Sequence, residues 1–286
     1  MKKDKSLSSL LHGLAKAPKV MRDKELLEEQ AKKLQLKMLR IQQGVFHKKD
    51  RVVIMFEGFD AAGKGGAIRS ITEVLDPRNV RVIPIGEPTE DEKGKPWLYR
   101  FWRDVPAPGQ IVIFDRSWYG RVLIEKVDQL TSADKLKTAY AEINEFEAQL
   151  QNDGIILIKF FLGITKDEQL ERFEARLKDP YKQWKIGMPD INARKNWNKY
   201  VKAVDEILVK CNPRSAHWHL IAANSKKFTR KEVLSIVTTK LKLCETWMEK
   251  AAQKYDAKKF AKLLRKWVSR FGRFFNQFGK FETQKG

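Results

Sequence analysis

"RVVIMFEGFDAAGKGG" (residues 51–66) decides the fold. An apolar run enters a glycine-rich loop without a break, as a buried parallel strand does before a phosphate-binding turn and helix. Gly58, Gly63 and Lys64 match the pattern G-x-x-x-x-G-K-[ST], in which backbone N–H groups cradle a phosphate chain and the lysine reaches its outer phosphates. That pattern ends in a hydroxyl that meets a metal ion, and here the place is taken by Gly65. The phosphate-holding stretch is therefore read as Gly58, Ala61, Ala62, Gly63, Lys64, Gly65 and Gly66, with Asp60 inside the loop as the nearest oxygen donor for a metal.

Working outward, a helix is expected from Lys64 to Leu75, stopped by "DPRN" (76–79). "NVRVIPIG" (79–86), "GQIVIFD" (109–115), "GIILIKFFLG" (154–163) and "HWHLIAA" (217–223) read as four further strands. Helical patterns lie between them at about 90–105, 132–151, 166–178, 190–211 and 227–250, and one precedes the first strand at 23–43. Strand and helix in alternation imply a parallel sheet covered on both faces, with its ligand at the carboxyl ends of the strands. The helix at 23–43 carries Leu26, Leu27, Leu34, Leu36, Met38, Leu39 and Ile41, and is expected on the flank of the domain or against a second subunit. Residues 1–22 show little apolar periodicity and are expected to be loosely ordered.

"IVIFDRSWYGR" (111–121) ends an apolar strand in an acid, where a carboxylate beside a phosphate loop holds a divalent cation. Asp115 is that residue. Asp60 and Asp115 together form a two-carboxylate site suited to a hard cation. Arg116 and Arg121 follow, and a second basic group in "QLERFEARLKDPYKQWK" (169–185) supplies Arg172, Arg176, Lys182 and Lys185. Phosphoryl transfer relies on placing positive charge round the moving group, so both clusters are candidate phosphate ligands. For the second cluster the competing reading is a solvated helix face paired with Glu168, Glu171 and Glu174.

The chain has 286 residues and a formal net charge of +21, which points to a polyanionic partner without choosing among nucleic acid, anionic lipid and phosphate chains. No apolar run approaches the roughly 20 residues of a membrane span, and the charged start has no secretory leader pattern, so a cytoplasmic location is expected. Cys211 and Cys244 lack metal or disulfide spacing, and His217 and His219 read as packing residues. The end of the chain, 251–286, interleaves Lys258, Lys259, Lys262, Arg265, Lys266, Arg270 and Arg273 with Phe260, Trp267, Phe271, Phe274, Phe275, Phe278 and Phe281. It reads as a docking or oligomer-forming segment, with polyanion contact next.

"EGFDAAGKGGAIRSITEVLDPR", "IVIFDRSWYGRVLIEKV" and "QLERFEARLKDPYKQWKI", followed by a Trp and a Tyr, together resemble the second family of polyphosphate kinases from about residue 25 to residue 240. The resemblance implies a three-layer α/β P-loop kinase fold, with a five-stranded parallel sheet, helices on both faces and a helical lid within about 116–130 and 169–195. It divides the chain into an N-terminal extension and helix (1–44), a catalytic domain (45–250) and the basic aromatic tail. It implies Mg²⁺-dependent, reversible transfer of the terminal phosphate between inorganic polyphosphate and a purine nucleoside mono- or diphosphate, with Mn²⁺ as a substitute cation. By position, Asp60 and Asp115 are its metal-binding carboxylates, Lys64, Arg116 and Arg121 its phosphate ligands, and Arg172, Arg176, Lys182 and Lys185 its lid cations. Asp60, Lys64, Asp115 and Arg116 form the catalytic set. A homo-oligomer, dimer or tetramer, is expected, and nucleic acid is not. "SWYGRVLIEKV" looks more like members that use monophosphates; many of those fuse two copies of the domain, and one copy is present here. The alternatives are an ATP-dependent nucleotide kinase and a nucleic-acid-binding protein with a degenerate loop.

Overall fold

The computed structural model describes residues 6–16, 24–253 and 262–266. It divides into two units, 1–245 and 246–286. Unit 1 is built on five strands: β1 (Arg51–Gly58), β2 (Val80–Pro84), β3 (Ile111–Asp115), β4 (Ile155–Gly163) and β5 (Trp218–Ala222). All pair in parallel in the order β2-β3-β1-β4-β5. The five strands are those the alternation predicts.

Around the sheet run α1 (Leu7–Lys16), α2 (Lys24–Lys48), α3 (Lys64–Thr72), α4 (Tyr99–Arg103), α5 (Ile124–Val127), α6 (Ala133–Asn152), α7 (Lys166–Leu177), α8 (Met188–Lys195), α9 (Trp197–Lys210), α10 (Lys226–Lys240) and α11 (Lys242–Gln253), whose last residues belong to unit 2. β1 is the central strand, and Val52 to Phe56 are fully buried, which is why the run carries no alternation. The sheet core continues through Phe56 and Phe160, stacked at 5.0 Å. α2 lies along α3 and α10, so the flank reading of 23–43 holds within the chain. The buried amide of Gln42 fixes its register, donating to Asp76 O at 2.7 Å and accepting from Asp76 N at 2.8 Å.

Three sequence expectations need correction. Residues 7–16 form a docked helix: Leu7 is fully buried, Leu7 N donates to Asp205 Oδ1 at 2.9 Å, and Ser8 Oγ donates to Asp205 Oδ2 at 2.8 Å. Leu7, Leu10, Leu11 and Leu14 have helical spacing, a short signal that the surrounding charge obscures. Leu7, Leu10 and Leu11 lie within 3.5 Å of where a Cβ on Gly163 would stand, so α1 sits against the carboxyl end of β4. The expected helix at 190–211 breaks at Asn196 into α8 and α9, and the one at 90–105 shrinks to α4. Lys95-Pro96 explains the second break, because the residue before a proline is pushed out of the helical region.

Residues 1–5 and 17–23 lie outside the described residues, as do 254–261 and 267–286, and with them most of the basic aromatic tail. In unit 2 the described stretch 262–266 is helical and exposed, and it includes Leu263 and Leu264.

Candidate active site

The loop between β1 and α3 takes its shape from glycine at two points. Gly58 has φ +153°, and a Cβ there would come within 2.6 Å of Leu162 O on β4, so the loop leaves the sheet where only glycine fits. Gly63 caps α3 at φ +101°. Ala61 and Arg116 also adopt left-handed backbone, at +62° and +67°, and both flank the same site. Strained non-glycine residues of this kind persist where the surroundings hold them, as they do round binding loops. α3 begins at Lys64, so its free N–H groups and positive end face whatever the loop encloses.

Lys64 Nζ donates to Gly58 O at 2.8 Å and Phe59 O at 3.3 Å, which folds the side chain back over the loop. Asp115 ends β3 in register with Phe56 of β1, beside the loop's first residues. Arg116 Nη2 pairs with Asp60 Oδ1 at 3.4 Å, bringing the loop acid to the residue after Asp115. Asp60, Lys64, Asp115 and Arg116 are thus assembled on the carboxyl ends of two adjacent strands.

Beneath them lies a residue the sequence reading passed over. Glu57 is buried, accepts a hydrogen bond from Ser117 Oγ at 2.8 Å, and has its carboxyl pushed up to about 7, chiefly by burial. The hydrogen bond to Ser117 and the charges of Lys64 and Arg116 oppose that rise. An acid inside an otherwise apolar strand was the available signal. The same signal, Lys159 in "GIILIKFFLG", marks a second buried group. Lys159 Nζ pairs with Glu147 Oε2 at 2.7 Å, while Glu147 Oε1 accepts from Trp118 Nε1 at 3.1 Å and Tyr119 Oη at 2.9 Å. This network anchors the turn that follows Arg116.

The second basic cluster divides. Arg172, expected as a phosphate ligand, is buried and turned to backbone carbonyls: Nη1 donates to Ala61 O at 2.7 Å, Nη2 to Ala223 O and Asn224 O at 2.8 and 2.9 Å, and Nε to Glu168 at 2.8 Å. Through those carbonyls the guanidinium clamps the loop to the β5–α10 connection. Gln169 adds a bond to Asp60 O at 3.2 Å. Arg121 is likewise engaged, by Glu125 at 2.5 Å, Thr131 at 2.6 Å and the ring of Trp97 at 4.8 Å. Arg176 donates to Lys185 O at 3.4 Å, Lys182 pairs with Asp179, and Lys185 lies 5.0 Å over Trp184. Tyr181 and Trp184 are 88% and 78% exposed, so this segment stands open to solvent while Arg172 does not. His219 is packed against Phe160 at 5.5 Å, burial lowering its pKa to about 4, as the packing reading requires.

Residues 21–249 match the family model described as polyphosphate kinase 2 (PPK2). The chain belongs to the polyphosphate kinase 2 family. A polyphosphate:AMP phosphotransferase of Pseudomonas aeruginosa is 45% identical over 215 residues, covering 75% of this chain and 43% of that protein. An ADP-polyphosphate phosphotransferase of Rhizobium meliloti is 41% identical, covering 69% of this chain and 64% of that protein. The polyphosphate kinase 2 structure from Arthrobacter aurescens superimposes with a TM-score of 0.76 at 29% identity, over 92% of this chain and 97% of that one. The chain spans less than half the length of the first of these relatives. No described helix is long and apolar enough to cross a membrane.

Proposed function

We propose that the chain transfers the terminal phosphate between inorganic polyphosphate and a purine nucleoside mono- or diphosphate, in either direction. The observation that carries this reading is the altered loop: Gly65 stands where an ordinary kinase loop has a hydroxyl, and a carboxylate within the loop, Asp60, is bridged to Arg116 beside Asp115. A site with two acids beside Lys64 and Arg116 suits two densely charged phosphate groups at once. The names of the relatives support the donor, and their division between AMP and ADP supports both acceptor classes.

Among the described residues no group of three or more acids, histidines or cysteines could hold a metal by itself. Asp60 and Asp115 fit magnesium, which is usually bound by one or two carboxylates and completed by substrate phosphates and water. Magnesium, or manganese in its place, would neutralise charge on the transferring phosphate. The loop N–H groups and Lys64 hold the donor's terminal phosphate, and Arg116, paired with Asp60, supplies positive charge to the moving group. An acceptor phosphate oxygen attacks the terminal phosphorus, the bond to the penultimate phosphate's bridging oxygen breaks, and the shortened chain leaves with that electron pair. Arg172 and Gln169 hold the loop backbone during the transfer, and the 178–195 segment acts as the lid. A cytoplasmic location and self-association to a dimer or tetramer belong to the same proposal.

The test combines purified protein, magnesium and long-chain polyphosphate with AMP, ADP, GMP or GDP, and follows nucleotides by chromatography without ATP. New phosphoanhydride product supports the reading, and the best acceptor sets the subclass. Product only when ATP is the donor refutes it. Chelation of the metal is expected to abolish transfer, and unchanged rates would remove Asp60 and Asp115 as metal ligands.

A further inference from the structure

The Trp and the Tyr that follow the second basic cluster, Trp197 and Tyr200, stand one turn apart at the start of α9. Trp197 is buried, and its indole stacks on the ring of Phe59, with centroids 4.1 Å apart and planes 16° apart. Phe59 lies between Gly58 and Asp60 in the phosphate loop, and its ring also meets Phe161 of β4 edge-on at 5.6 Å. An apolar side chain has no hydrogen bond to aim it, so the rings it packs against set its direction. Phe59 O accepts from Ala62 N at 3.1 Å and from Lys64 Nζ at 3.3 Å, so a shift of Phe59 moves the turn and the lysine together.

Asp60, the next loop residue, is held from the same joint. Arg194, in the last turn of α8, donates through Nη1 to Lys166 O at 2.5 Å and to Gln169 Oε1 at 3.4 Å, and Gln169 Nε2 donates to Asp60 O at 3.2 Å. Gln169 is buried, and with its oxygen on Arg194 its amide N–H turns to the loop carbonyl. The helix breaks at Asn196, separating α8, which has no buried residue, from α9, whose Trp197, Ala203, Val204 and Ile207 enter the core. Tyr200 Oη donates to Asp128 Oδ2 at 3.2 Å, and Glu206 Oε2 accepts from Lys126 Nζ at 2.7 Å and Tyr140 Oη at 2.9 Å. α9 is thus pinned to α5, α6 and the residue after α5, and it presents Trp197 to Phe59 from a fixed base.

We propose that Trp197 and Arg194 are positioning residues for the transfer: the α8–α9 joint holds Phe59 and Asp60 so that the Asp60 carboxylate stays at Arg116. Both act through the loop. Support is needed at this point because Asp60 sits between Gly58 and Ala61, both at positive φ, and its carboxylate reaches Arg116 at 3.4 Å. A loop that drifts there takes the acid away from its partner. The proposal rests on the reading of Asp60 as a catalytic residue given above.

The experiment measures backbone hydrogen exchange by mass spectrometry, together with steady-state kinetics, in the wild type, Trp197→Leu, Trp197→Phe and Arg194→Ala. Trp197→Leu should speed exchange over residues 59–64 at least about tenfold while β1 and β4 keep wild-type protection. Its kcat should fall at least about tenfold, as misplacement of a reacting group does, with KM for the nucleotide within about twofold of wild type. Trp197→Phe keeps a ring on Phe59 and should recover most of both losses. Arg194→Ala should show the same pattern, and at its half-buried position it carries the test should Trp197→Leu fail to fold. In an Asp60→Asn background, either substitution should lower kcat by no more than about twofold, because a residue that acts through Asp60 has nothing left to place. Exchange that is unchanged over 59–64, or that rises equally in β1 and β4, overturns the proposal by leaving Trp197 and Arg194 as packing residues. Equal kcat losses in the wild-type and Asp60→Asn backgrounds overturn it as well. Near-normal turnover in Asp60→Asn by itself fails the reading of Asp60 first, and the proposal with it.

Discussion

Two regions after β4 look alike in sequence and behave oppositely in the structure. Arg172 on α7 is sealed beneath the phosphate loop with its donors on three carbonyls and one carboxylate. Lys182 and Lys185, barely three turns on, stand on an open segment beside exposed Tyr181 and Trp184. Both regions are basic. The difference is whether a cation holds the protein's own backbone or is left for a ligand, and substitutions in each region distinguish the two.

The largest effect is expected at the site that both regions serve. Asp60→Asn, Lys64→Ala and Asp115→Asn should each lower turnover by more than about a hundredfold, because charge placement carries phosphoryl transfer. Circular dichroism and Tm should stay near wild type. Near-normal turnover in any of the three removes that residue from the mechanism.

Arg172→Ala should come next, and its effect should be on stability as well as rate. Leaving buried carbonyls and Glu168 without their donor costs about 3 kcal/mol or more. Urea denaturation should show the loss, and Arg172→Lys should not repair it, since one ammonium cannot span the loop and the β5–α10 connection. A variant as stable as wild type would return Arg172 to the ligand class that the sequence suggested.

Glu57 gives a pH signature of the buried frame. Its carboxyl rises from 4.5 to about 7 in the fold, so between those values the folded protein keeps a proton that the unfolded chain has released. Stability therefore falls as pH rises through that window, by up to about 3 kcal/mol. Glu57→Gln keeps an acceptor for Ser117 and carries no charge. Its Tm should gain on that of the wild type between pH 5 and pH 8, and parallel curves would show that Glu57 is ionised throughout.

The smallest stability change belongs to the open segment. Lys182→Ala/Lys185→Ala should move unfolding by no more than about 0.5 kcal/mol, as exposed charges do. It should raise KM for the polyphosphate donor. A stability loss comparable to that of Arg172→Ala would erase the contrast.

The strands and their parallel pairing were legible because β1 and β4 are mostly apolar and the glycines sit directly after β1. That Asp60, Lys64 and Asp115 lie at the carboxyl ends of β1 and β3 was legible from the loop pattern after β1 and the acid that ends β3. Arg172 was not, because i, i+4 spacing to Arg176 places two side chains on one face of a helix without saying what that face meets. Arg121 was hidden in the same way, its partners Glu125, Thr131 and Trp97 coming from three separate segments. Glu57 and Lys159 were visible as charges inside apolar strands, yet their partners Ser117 and Glu147 lie 60 and 12 residues away. The helix at 7–16 depends on a docking surface, Gly163 and Asp205, that exists only once the sheet has formed.

The central claim is tested most directly by phosphorus NMR of wild-type protein with magnesium, polyphosphate and AMP or ADP, no ATP being added. The account expects one terminal phosphate to leave the chain for each new nucleotide phosphoanhydride, and no such exchange with Asp115→Asn. Nucleotide phosphorylation that proceeds only with ATP, or a chain that shortens by releasing free phosphate with no nucleotide product, would contradict it.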